Sequence, residues 1–148
     1  MSKAADIDPS FFKRAQKAGV RELTHHTKKV HTVAWNCDGK RLASGSVDRT
    51  VCVWRVGGSS GSGTLEHELK GHQEAVDQLT WDPTHPDLLA SASSDKSVRV
   101  WDARSGKCAA NVPTKGENIN IAWSPDGNTI AVCSLLVTRP TVGAFQYD

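Results

Sequence analysis

"SSDKSVRVWDA", residues 93–103, gathers Ser, Asp, Lys and Arg around a single Trp. Such a set suits a nucleophile site or a structural turn, and the rest of the chain decides between them. "LASGSVDRTVCVW" (Leu42 to Trp54) overlays "LASASSDKSVRVW" (Leu89 to Trp101) with a shift of 47 residues, keeping Leu, Ala, two Ser, Asp, two Val and Trp in place. Upstream, His26, Val30 and Trp35 fall on His72, Val76 and Trp81 with a shift of 46. A third copy opens at "GENINIAWSPDGNTIAV" (116–132), where Trp123 lies 42 residues after Trp81. A catalytic centre is rarely written several times over, whereas periods in this range belong to blades, solenoid turns or arrays.

Each period is dense in strand signals. Short runs rich in Val, Ile, Thr and Trp alternate with Asp-Gly, Gly-Ser and Pro-containing breaks. "KKVHTVAW" turns at "NCDGK" into "RLASGS", which turns at "VDR" into "TVCVW"; the second copy runs "AVDQLTW", "LLASAS", "SVRVW" and a fourth strand "KCAANV". Four strands per repeat with short connections make an antiparallel meander, the blade of a β-propeller. The fold class expected is therefore all-β: an incomplete propeller of about two and a half blades.

At this point the residues carry a resemblance. Gly71 and His72 ("GH"), Asp48 and Asp95 in the tight turn before the third strand, and Trp101 with Asp102 ("WD") resemble the WD40 repeat over roughly residues 20–132. More narrowly, "KVHTVAWN", "ASGSVDRTV", "ELKGHQEAVDQLTWDP", "DKSVRVWDARSGKC" and "KGENINIAWSPDG" resemble the WD40 subunits of THO complexes, which act in transcription-coupled messenger RNA packaging and export. "VDQLTW" and "KGENINI" read as the specific part, strings that no blade needs for folding. The resemblance implies a non-catalytic scaffold in the nucleus, with other THO and export subunits as partners. It also implies RNA contact that is indirect or weak, no cofactor and no small-molecule substrate; no membrane partner is expected either, since the N-terminus has no apolar run long enough to span one.

A Ser, a His and an Asp in each repeat suggest a charge-relay hydrolase. In a WD40 blade, by resemblance, they form a structural chain instead: the turn Asp holds the His, and the His bonds a Ser and through it the Trp. For the first copy the members are His26, Asp48, Trp54 and one of Ser44 or Ser46; for the second, His72, Asp95, Trp101 and one of Ser91 or Ser93. The third copy has Thr114 at the His position. A second functional resemblance lies in "LASASSDKSVRVWDAR" (89–104), which is similar to the WDxR box of cullin-ligase substrate receptors and makes Asp102 and Arg104 candidate partner-binding residues.

Composition agrees with a globular, non-secreted chain: 38% hydrophobic and 23% charged is ordinary usage for one domain of 148 residues. Cys37, Cys52, Cys108 and Cys133 are scattered without a CxxC and read as free thiols of a reducing compartment. His25, His26 and His31 lie within seven residues, yet no cysteine or carboxylate at zinc spacing joins them, so no metal site is expected. Net charge is +2 overall, while residues 1–19 form a basic segment whose "DPSFFKRAQKAG" predicts a short helix, and whose lysines and arginines suit a solvated amphipathic face first and a phosphate backbone second. "VGGSSGSGT" (56–64) predicts a flexible loop between the third and fourth strands of the first blade.

The boundaries expected are an outer strand at 20–26, blades at 27–70 and 72–112, a partial blade at 116–134, and a divergent tail at 135–148. That tail lacks a turn Asp followed by Trp, and Pro140 argues against a central strand, although "VGAFQY" suits an edge. The repeats read as the opening portion of a longer propeller. Unpaired edges and uncovered flanks at either end favour association.

Overall fold

The structure, a computed structural model, describes residues 22–57, 63–135 and 140–146. It is all-β, with eleven strands among these residues in three antiparallel sheets. The first sheet runs β1 (Val30–Trp35), β2 (Arg41–Ser46), β3 (Thr50–Arg55) and β4 (Thr64–Lys70) in that spatial order. The second repeats it with β5 (Val76–Trp81), β6 (Leu88–Ser93), β7 (Ser97–Asp102) and β8 (Lys107–Pro113). The third has β9 (Glu117–Trp123), β10 (Thr129–Leu135) and β11 (Pro140–Gln146), with β10 in the middle.

The turns explain why each meander closes where it does. In the β1–β2 turn the Asn36 carboxamide oxygen accepts from the backbone N–H of Lys40 (3.1 Å) and Arg41 (3.0 Å), while Gly39 supplies the left-handed φ of 69°. In the β2–β3 and β6–β7 turns the left-handed position falls on Arg49 (φ 75°) and Lys96 (φ 64°). Side chains rarely adopt that region. The neighbouring Asp48 and Asp95 carboxylates hold it by accepting from the N–H of Thr50 (3.0 Å) and Ser97 (2.9 Å).

The sheets stack face to face, and the apolar core lies in the two seams. Ala43, Val51, Val53 and Leu69 of the first blade meet Val76, Leu79, Trp81, Leu89 and Trp101 of the second. Ala90, Ala92, Val98 and Val100 of the second blade meet Ile121, Trp123, Ile130 and Val132 of the third. Polar pairs join the first seam: the Trp81 indole donates to the Ala34 carbonyl (2.9 Å), Asn36 to that of Pro86 (3.1 Å), and Arg41 pairs with Asp87 (2.6 Å). Gly45 is a point of close approach, because a Cβ there would lie 2.7 Å from Val76 Cγ1 and 2.9 Å from Thr32 Cγ2. Gly45→Ala is expected to destabilise the chain by about 1–3 kcal/mol through overpacking, read as a lower urea midpoint with an unchanged slope.

Three expectations come out differently. Glu22–His26, the described part of the expected outer strand, carry no strand pairing, since no third strand lies beside them to supply a ladder among the described residues. The tail pairs at the edge that "VGAFQY" suits but is not separate from the third blade: it joins it as β11 along β10, past the boundary expected at 134, with Phe145 opposite Ile130, Ala144 opposite Ala131 and Val142 opposite Cys133. That register gives the third blade a third strand, and Pro140 sits at its first position, where a missing N–H is tolerated. "VDQLTW" and "KGENINI", read as unneeded for folding, in fact hold the seams. Thr32 donates to Gln78, His31 Nδ1 lies 3.2 Å from Asp77, and Asn118, fully buried, donates to the carbonyls of Ser93 (3.3 Å) and Ser97 (3.0 Å). The segment 1–19 and the centre of the Gly-Ser loop lie outside the described residues.

Candidate functional site

The structure brings His72, Asp95, Ser91 and Trp101 together. The Trp101 indole N–H, which can only donate, points at Ser91 Oγ (2.8 Å). Ser91 is thereby left to give its own proton to His72 Nε2 (2.8 Å), so His72 Nδ1 carries the proton that reaches Asp95 (2.8 Å). This directional chain requires a neutral imidazole. A proton on Nε2 would leave the Ser91 hydroxyl competing as donor with the imidazole it faces. Asp95 also accepts from the Ser97 hydroxyl (2.6 Å) and the Gln73 N–H (3.0 Å). His72 stands edge-on to Trp101, with ring centroids 6.1 Å apart.

The first blade repeats the constellation almost atom for atom. Trp54 donates to Ser44 (2.9 Å), Ser44 lies 2.8 Å from His26 Nε2, and His26 Nδ1 is 2.9 Å from Asp48. Asp48 again receives a turn hydroxyl, from Thr50 (2.6 Å), and a loop N–H, from Thr27 (2.9 Å). Of the serines left open by the sequence, Ser44 and Ser91 serve the chain. Ser46 and Ser93 brace the turn by accepting from the N–H of Asp48 and Asp95 (both 3.1 Å). Thr50 and Ser97 were missed as members, although both follow the turn Asp by two residues in the overlaid copies.

The third blade replaces the set as a whole. By strand register Phe145 takes the Trp position, Val132 that of the Ser, and Thr114 precedes the inner strand where His would stand. Phe has no N–H to satisfy, so no Ser is needed beneath it, and Val fills the space. Thr114 instead donates to the carboxamide oxygen of Asn118 (2.9 Å), which also receives the Ser134 hydroxyl (2.7 Å).

Burial decides what this chemistry can do. Ser91 is 0% and His72 5% exposed, so no substrate reaches the hydroxyl of the Ser–His–Asp set. Burial lowers the pKa of His72 and outweighs the opposing pull of Asp95. For Asp95 and Asp48 burial pushes the other way, and the bonds donated by Ser97 or Thr50, the loop N–H and His together bring both carboxyls below their usual range. All three groups thus bind protons less readily folded than unfolded. Stability is fully present above about pH 6.5, the unfolded value for His. It falls first as acid protonates His72, then again below about pH 4 as Asp48 and Asp95 are titrated. Urea melts at pH 7, 5 and 3 should show this order, and a flat profile would contradict it.

The remaining candidates are dispersed. His25 faces Glu68 (3.5 Å) and His31 faces Asp77, so the three clustered histidines take separate partners; among the described residues no group of three His, Cys, Asp or Glu is placed to hold a metal. Burial pushes the Cys52 thiol up to about 12, marking it as a packing residue. Asp102 closes the β7–β8 turn by accepting from the N–H of Arg104 (2.8 Å) and the Ser105 hydroxyl (2.8 Å), which leaves the Arg104 side chain exposed. No helix among the described residues is long and apolar enough to cross a membrane.

Four-stranded meanders stacked on their inner strands, each locked by a His–Ser–Trp chain under a turn Asp, are blades of the kind from which repeat propellers are built. The chain belongs to the WD40 repeat family: the pattern of the WD domain, G-beta repeat, matches residues 18–55 and 63–102. It is 58% identical over 112 residues to THO complex subunit 3 of Arabidopsis thaliana, covering 76% of this chain and 36% of that protein. It is 33% identical to the WD repeat-containing protein AAC3 of Dictyostelium discoideum, over 95% of this chain and 34% of that one. With the anaphase-promoting complex subunit cdc20 of the same organism it shares 34% over 75% of this chain and 22% of the relative. The chain therefore spans about a third or less of the length of these relatives. The family is typically non-catalytic, and its members of this kind serve in protein complexes.

Proposed function

We propose that the chain is a scaffold of a THO-type complex, acting in the nucleus in messenger RNA processing and export. The observation that carries this reading is the 58% identity to THO complex subunit 3, well above the 33% and 34% shared with the other relatives. Generic blade positions are common to all WD40 chains, so the surplus lies in residues that the repeat does not dictate. The buried Ser–His–Asp set supports a platform in preference to an enzyme, because its groups are spent on holding the blade. In this reading the blades of 20–134 carry the protein partners, other THO subunits among them, and the basic segment 1–19 grazes RNA phosphates weakly. Purification of the tagged chain from nuclear extract tests it: THO subunits in the precipitate support the proposal, and their absence sinks it. The exposed Arg104 beside the Asp102 turn favours a second reading, substrate receptor of a cullin-type ligase. Capture of a cullin adaptor that disappears in Arg104→Ala would decide for that reading.

A further inference from the structure

The two ends of the stack carry faces whose mates exist elsewhere in the same molecule. In the second blade Val76, Leu79 and Trp81 are 0%, 3% and 5% exposed, covered by the first blade's Ala43, Val51 and Val53. Their repeat counterparts in the first blade, Val30, Val33 and Trp35, are 48%, 62% and 54% exposed. Leu42 and Leu23 border the same hollow. At the opposite end, strand register makes Ala131, Cys133, Val142 and Ala144 the counterparts of Ala90, Ala92, Val98 and Val100. Those four are wholly buried under the third blade, whereas Val142 is 75% exposed.

We propose that these two faces bind each other across two copies of the chain, the first-blade face of one copy seated on the third-blade face of the other. The molecule already makes this joint twice. In each seam a large set from the inner strand (Val, Leu, Trp, or Ile and Trp) lies on a small set of Ala and Val from the two strands of the preceding blade. The free faces are one large set and one small set, so they complement each other and neither complements itself. The joint is heterologous, and such contacts either close into a ring or run on as a filament. Propellers close with about four to eight blades. One copy offers three sheets among its described residues, three copies would offer nine, and two copies offer six, so the ring closes at the dimer. In that ring Leu23, which precedes β1 as Leu69 precedes β5, comes beside the outer edge of the other copy's β11, the position at which β4 and β8 pair in the four-stranded blades.

Light scattering on the full chain tests the proposal, with the mass of two chains as the expected result. Val33→Asp and Val142→Asp each place a carboxylate in one face at an exposed position, so each variant should keep the wild-type circular dichroism and fall to the mass of one chain. An equimolar mixture of the two should return to the mass of two chains, because one undamaged pair of faces remains between them. A monomeric wild type overturns the proposal and leaves both faces to further blades of a longer polypeptide. Three other results also overturn it: a Val142→Asp protein that stays dimeric, since the first-blade face would then pair with itself; a mixture that stays monomeric; and wild-type masses that climb with concentration past two chains.

Discussion

Trp101→Ala is expected to lower the unfolding free energy by about 3–5 kcal/mol, the range for truncating a large buried aromatic. Trp101 is 1% exposed and packs in the seam between the first and second blades with Leu69, Val76 and Leu89. Its removal opens a cavity and also takes the only indole donor from Ser91. Gly71 and the Arg99 guanidinium both border the ring: a Cβ on Gly71 would lie 3.2 Å from Trp101 Cη2, and Arg99 Cζ lies 5.9 Å from the ring centroid. Urea denaturation followed by far-ultraviolet dichroism measures the loss. A shift under 1 kcal/mol would show that the second blade does not depend on this residue.

Asn118→Leu should cost about 2–4 kcal/mol although it conserves volume. The carboxamide spends both ends on buried groups: two carbonyls of the second blade on its nitrogen, and the hydroxyls of Thr114 and Ser134 on its oxygen. With leucine there, Thr114 keeps the Gly116 carbonyl and the Ser93 carbonyl keeps the Lys96 N–H, so the loss falls chiefly on the Ser134 hydroxyl and the Ser97 carbonyl, where each unsatisfied group costs about 1–3 kcal/mol. Partial relaxation toward other acceptors limits the total. The same denaturation experiment reads it, and a neutral result would mean that the hydroxyls and carbonyls find each other once the amide is gone.

The contrast between these two residues shows what the sequence makes legible. Trp101, Asp95 and His72 are repeated at fixed offsets, and repetition of a polar residue in a β pattern announces a structural role before any coordinates exist. The choice between Ser91 and Ser93 was not legible, because residues two apart on a strand share a face and only the reach of the indole separates them. Asn118 was illegible for another reason: its partners include main-chain carbonyls, which every residue has and no motif records. β11 was legible only as the edge that "VGAFQY" suits, because the third blade keeps the alternation of Val142, Ala144 and the opposed Phe145 but drops the Asp and Trp by which a third strand is recognised. Pairing with β10 supplies what the local signal lacks.

The Phe145, Val132 and Thr114 substitution of an entire polar chain has an evolutionary corollary. Two of the blades keep Trp, Ser and His, and the third has exchanged all three, yet any intermediate with only one exchanged strands a buried donor or acceptor. The trio is therefore expected to behave as one heritable character with strong internal epistasis, each single step costing stability and the completed exchange costing less than the sum of the steps. Lineages carrying such repeats should therefore show blades of one type or the other and seldom a mixture, and a triple exchange engineered into the second blade should be better tolerated than the sum of its parts.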